Sequence, residues 1–174
     1  VPGVFCARLP WIERLAPGSV LALLAADVAG APDMIIGPIA AVAAAAHAVR
    51  LVLWRPWLTL RTPIVWILHF AYAWIALALA LRALAAAELV PPGLASHALT
   101  VGAIGGLTLG MMTRTSLGHT GRPLQTGRAE VFCYVAIQFA ALTRVFLPLA
   151  VPSFYLHAIV GSGLLWSLAF GVFT

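Results

Sequence analysis

Residues 96–125, SHALTVGAIGGLTLGMMTRTSLGHTGRPLQ, decide how the rest of the chain is read. The first half is apolar and carries Gly102, Gly106 and Gly110 at four-residue spacing. On a helix that spacing strips side-chain bulk from one face, so a neighbouring backbone can come close. The second half turns polar and delivers Arg114, His119 and Arg122 to the helix end. An apolar helix with a small-residue stripe and a cationic end reads as a membrane span.

Composition extends that reading to the whole chain. Of 174 residues, 63% are hydrophobic and 9% charged, against roughly 25% charged in a soluble domain. The basic residues are ten Arg and no Lys, and the formal charge is +5. These Arg cluster at helix ends, where they set topology and meet anionic headgroups, so membrane lipid is an expected partner and nucleic acid is not. Cys6 and Cys133 give no disulfide framework and no Cys-x-x-Cys motif. No charged segment followed by a cleavage site is read at the N-terminus. The first residue is Val1, which suits a fragment, a processed chain or an unusual start codon.

The sequence predicts an all-α polytopic membrane protein forming one transmembrane domain over 1–174. Its helices are expected at roughly 17–31, 36–55, 63–86, 96–116, 129–147 and 153–173. Trp54-Arg55-Pro56-Trp57 ends the second helix as an aromatic and Arg anchor. Pro63 opens the third at a position that tolerates Pro. Pro91-Pro92-Gly93 and Pro148 to Pro152 mark turns. Six antiparallel spans put Arg8, Arg14, Arg55, Arg61, Arg114, Arg122 and Arg128 on one side, and only Arg82 and Arg144 on the other. Arg excess marks the cytoplasmic side, so both termini are predicted to be cytoplasmic.

Ionisable groups at bilayer depth need a partner or a task. His47 lies about 12 Å and His69 about 9 Å from the same side on adjacent helices. Two imidazoles at similar depth could ligate haem iron or copper; a lone intramembrane histidine is more often a helix-to-helix hydrogen bond than a ligand. Arg50 shares a face with His47 and could pair with a haem propionate, while Tyr72 follows His69 at the same three-residue spacing. His97 and His119 bracket the fourth helix about 33 Å apart, too far to share an ion. His97 with His157 could take copper at the opposite side, or the two could be separate interfacial residues. Asp27 lies near that side, and Arg144 is expected to pair with it. Arg114, His119 and Arg122 form a cationic cap suited to propionates or lipid phosphate, with a plain topology signal as the alternative. The glycine stripe reads as helix packing, or as a face for a flat porphyrin. No nucleophile, base and acid arrangement is present, and no carboxylate pair.

The run from His97 through Gly102, Gly105, Gly106, Gly110, Met111, Met112 and Arg114 to Gly118-His119-Thr120-Gly121-Arg122 resembles the NnrS family of bacterial inner-membrane proteins. The upstream run Pro63-Ile-Val-Trp66-Ile-Leu68-His69-Phe-Ala-Tyr72-Ala-Trp74 is similar to the segment that precedes it there. The likeness is carried by residues 60–145, with the rest following by hydropathy. It implies a multi-span protein that contains haem and copper and helps bacteria withstand nitric oxide and nitrosative stress. His69, His97, Arg114, His119 and Arg122 fall on family motifs. The resemblance further implies that this chain corresponds to the C-terminal half of a protein about twice as long. Its partner would then be a second six-helix half or other membrane subunits. From a different class, the chain could be a cofactor-free accessory subunit of a larger membrane complex.

Overall fold

A computed structural model describes residues 7–173; Cys6 lies outside them. Among the described residues all regular structure is helical, with no strand. We number the long helices α1 (Pro10–Val28), α2 (Asp33–Leu53), α3 (Pro63–Ala86), α4 (Gly93–His119), α5 (Arg128–Ala150) and α6 (Tyr155–Phe173). Five of these, α2 to α6, are long and apolar enough to cross a membrane, α6 together with the short turn from Pro152. The exception, α1, carries Glu13, Arg14 and Asp27.

The start of α1 departs most from expectation. It begins at Pro10 instead of residue 17, because Pro10 occupies the first turn, where a missing N–H costs nothing. Pro17 is then absorbed inside the helix, and Ile12, Ala16, Ser19 and Leu23 form its buried edge. The earlier start brings Glu13 into the helix. The end of α1 is a left-handed Gly30 (φ +66°), with Ala31 N–H reaching back to the Ala26 carbonyl. Gly121 (φ +67°) stops α4 in the same way, with Arg122 N–H on the Leu117 carbonyl.

The centre of the fold is α3, which packs against α2 on one side and α4 on the other; α1 covers α2, and α6 covers α5. The glycine stripe of α4 faces α3. A Cβ on Gly102 would overlap the Trp74 indole, one on Gly106 would sit 2.9 Å from the Ala71 Cβ, and one on Gly110 would sit 2.9 Å from the Leu68 side chain. The stripe is therefore a helix-packing seam, and α3 fills the face that a porphyrin would need. Trp74 is fixed in the seam by an indole N–H donated to Gln138 Oε1 of α5 at 2.7 Å. Residues Ala98–Ile104 of α4 form a π-helical stretch, with hydrogen bonds one residue longer than in an α-helix. Gly102 lies within it.

Charge pairing at the end opposite the arginine cluster also differs from expectation. Asp27 pairs with Arg82, at 2.5 Å, and not with Arg144. The reason is adjacency: α1 and α3 share α2 as a neighbour and line one surface cavity containing both side chains, whereas Arg144 lies on α5, on the far side of α4.

Candidate functional site

The most developed polar cluster sits where α1, α2 and α3 meet at the arginine-rich end. From α2 come His47, Arg50 and Trp54, three residues on one face. Next to them α3 places His69 and Tyr72, and α1 places Glu13 and the Ala16 carbonyl. Arg50 donates from Nε (2.9 Å) and Nη2 (2.6 Å) to Glu13 Oε2. Its Nη1 donates to Tyr72 Oη at 3.3 Å. The guanidinium also lies over the Trp54 ring, 4.8 Å from its centre.

The direction of the remaining bonds follows from donor and acceptor counting. Tyr72 Oη accepts from Arg50, so its hydrogen is free to donate to His47 Nδ1, 2.7 Å away. His47 Nδ1 must then be the acceptor, which puts the ring hydrogen on Nε2. That nitrogen lies 3.1 Å from the Ala16 carbonyl and donates to it. The result is one connected line, Glu13–Arg50–Tyr72–His47–Ala16, linking three helices. His47 is buried, at 7% exposure, and both its ring nitrogens are committed to protein partners. As a metal ligand it would first have to break one of those bonds.

His69 is placed differently. Its Nδ1 lies 3.1 Å from the Val65 carbonyl, one turn earlier on its own helix, and donates to it. That bond fixes the tautomer and leaves Nε2 as an unprotonated lone pair. No described residue is hydrogen-bonded to that nitrogen. A backbone carbonyl on one ring nitrogen with the other free is the usual arrangement of a ligating histidine. Trp54 packs edge-on to His69, with ring centres 6.2 Å apart, and against Tyr72 at 4.6 Å. His69 and His47 thus belong to one neighbourhood, joined through Trp54 and Tyr72, with no hydrogen bond between them.

The other sequence-predicted residues do not join this cluster. Arg114 donates to the Ile64 carbonyl at 3.4 Å and ties α4 to the start of α3. His119 and Arg122 are exposed at the end of α4. Arg122 also lines a cavity of about 480 Å³, where Thr113, Ser116 and Glu130 meet the apolar Met112, Leu117 and Phe173. His97 is half-buried beside Arg144, whereas His157 is exposed and stacks on Phe154. Among the described residues no group of three His, Cys, Asp or Glu side chains is clustered as a metal cage. An apolar groove of about 550 Å³ between α3 and α5, walled by Trp66, Phe70, Trp74, Phe139 and Phe146, contains no histidine.

A family model described as NnrS protein matches residues 4–174. The chain belongs to the NnrS family. The match covers nearly the whole chain, so α1, α2 and α6 are family elements as much as the striped helix is. No curated protein and no solved structure matches this chain. Membership in the NnrS family, together with five helices able to span a bilayer, makes this a membrane protein and suggests a place in the nitric oxide response. Sequence reasoning missed Glu13 in the cluster. The available signal was its place one turn before Ala16, on the buried edge of α1.

Proposed function

We propose that this chain is an inner-membrane protein of the bacterial response to nitric oxide and nitrosative stress. In this reading it binds haem or copper at the arginine-rich end of α2 and α3. The observation that carries the reading is the lone pair of His69 Nε2, held in one tautomer by the Val65 carbonyl, in a chain of the NnrS family. His69 would be the protein ligand. Arg50 would be a less ready propionate partner than expected, because Glu13 already takes two of its donors. His119, Arg114 and Arg122 lie at the same end and would supply positive charge near carboxylate substituents. His97 and His157 are the copper candidates of the other end. When bound, haem or copper would supply the redox and ligand-binding chemistry; this chain's own residues orient the imidazole and neutralise charge.

A cofactor-free accessory subunit is the second reading. The exposure of α6 favours it: only 17% of its apolar window is buried inside the chain. The glycine stripe offers it no free docking face, since α3 already fills that face.

One purification separates the two. The chain is solubilised in mild detergent, and its visible spectrum, metal content and co-purifying proteins are recorded. The first reading expects a Soret band or stoichiometric copper, lost or shifted in His69→Ala. A colourless, metal-free preparation that carries other subunits at fixed ratio would overturn it in favour of the second.

A further inference from the structure

Among the described residues, Arg144 is a cation without a hydrogen-bond or ion-pair partner. It lies six residues from the end of α5, about 9 Å inside the span, and no hydrogen bond or ion pair reaches it from any described residue. Of the carboxylates, Asp27 is held by Arg82 and Glu13 by Arg50; Glu130 is at the other end of α5, and neither Asp33 nor Glu88 lines the space that Arg144 faces. That space is a cleft of about 380 Å³ between α4, α5 and α6. His97 lines it from α4, and Ser162, Trp166 and Ser167 line it from α6. His97 at four residues into α4 sits at a depth close to that of Arg144, and its ring is likewise unbonded. Ser162 turns its hydrogen to the Ile159 carbonyl, while the Ser167 hydroxyl and the Trp166 indole N–H remain available as donors. The lining contains no acidic side chain.

A guanidinium, an imidazole, an indole N–H and a hydroxyl around one cleft make a set of donors converging on negative charge. An arginine fork matches the geometry of a phosphate-type oxyanion. An unpaired charge at this depth is costly, so a bound anion would also remove the penalty of leaving Arg144 alone. We propose that the α4–α5–α6 cleft is an oxyanion site that takes a phosphate group on Arg144, with His97, Trp166 and Ser167 as further donors. Two sources share that chemistry: the headgroup of an anionic phospholipid, whose chains would lie along the exposed Leu164 and Leu168 of α6, and free inorganic phosphate. The proposal is independent of any haem or copper at His69, and it takes His97, offered above as a copper candidate, as an anion donor instead.

The test uses the full chain in detergent, as wild type and as Arg144→Gln. In the lipid arm, native mass spectrometry compares retention of phosphatidylglycerol with that of phosphatidylcholine. In the free-anion arm, inorganic phosphate is titrated at constant ionic strength against chloride, with melting temperature as the readout. The expected result is a binding preference in one arm that falls about tenfold in Arg144→Gln, the loss of one charge-assisted hydrogen-bond contact. Whichever arm shows it names the source. Arg144→Lys keeps the charge without the fork and should bind at an intermediate level. If Arg144→Gln does not fold, His97→Gln replaces it, with a loss of about threefold expected from one weaker donor. Wild type and the folded variant behaving alike in both arms overturns the proposal. So does a co-purified protein whose carboxylate crosslinks to this cleft.

Discussion

Arg50 and Arg144 are both arginines within the helical bundle, and they live under opposite conditions. Arg50 lies near the end of α2 with its donors answered: two bonds to Glu13, one to Tyr72 and a ring face from Trp54. Arg144 lies deeper along its helix and has no answering group among the described residues. The same side chain is thus a structural fastener in one place and an open socket in the other. What separates them is the neighbouring helix. α1 carries a carboxylate against α2, whereas α6, which covers α5, carries an isoleucine, two hydroxyls, a glycine and an indole where it faces Arg144, and no carboxylate.

The largest effect should come from making Arg50 resemble Arg144. Glu13→Gln removes the carboxylate's charge and leaves the guanidinium at most a neutral amide oxygen beside Tyr72. Both side chains keep about a quarter of their surface uncovered, 25% and 28%, so the loss should be roughly 2 kcal/mol, below the range for a fully buried pair. Thermal unfolding in detergent measures it. A double-mutant cycle with Arg50→Gln should show that most of the loss is mutual. If Glu13→Gln is neutral, the pair is an ordinary surface contact and the contrast with Arg144 collapses.

A smaller loss is expected from Tyr72→Phe. The ring stays against Trp54, but Arg50 Nη1 loses its acceptor and His47 Nδ1 loses its donor. One neutral and one charged hydrogen bond are removed and partly replaced by rearrangement or water, so about 1 kcal/mol is expected. The same variant has a second use. Freeing His47 Nδ1 makes that histidine available to metal, so any copper or haem added to the purified chain should bind no more weakly than to wild type. Weaker binding would mean that Tyr72 itself orients the ligand.

How much of this was legible in the sequence depended on whether the signal was local. Pro63 marked the start of α3, and its expected bounds, 63–86, are those observed. The stripe of Gly102, Gly106 and Gly110 announced a close helix contact, and the contact exists. Tyr72 was visible as a hydroxyl near the histidines, although it bonds His47 and not His69. What stayed hidden required the rotation of one helix about another. Glu13 was lost because the first helix was expected over roughly 17–31; only a helix that begins at Pro10 brings the carboxylate into register with Arg50, 37 positions along the chain. Asp27 had two arginines within reach by depth, Arg82 and Arg144, and depth alone does not say which side of the bundle a residue occupies. The π-helical stretch at Ala98–Ile104 has no signature in composition, since glycine and alanine suit either turn. Of the candidate site, the types of residue were readable, but their hydrogen-bond commitments were not, and these distinguish His69 from His47.

The smallest effect should fall on stability in Arg144→Gln, measured in phosphate-free buffer with a neutral detergent. No described residue is hydrogen-bonded to or ion-paired with Arg144, so its replacement breaks no such bond among them. The glutamine is shorter and uncharged, which relieves the cost of a cation inside the span. The change in unfolding free energy should therefore be within about 0.5 kcal/mol of zero, as for substitutions that break no partnered group. Arg50→Gln in the same buffer gives the reference, because it severs bonds that the chain itself supplies. Equal losses for the two variants would mean that Arg144 has a protein partner after all, and the distinction between a fastened and an open arginine would have to be given up. A flat response for Arg144→Gln beside a steep one for Arg50→Gln would place the need for Arg144 outside the chain's own folding.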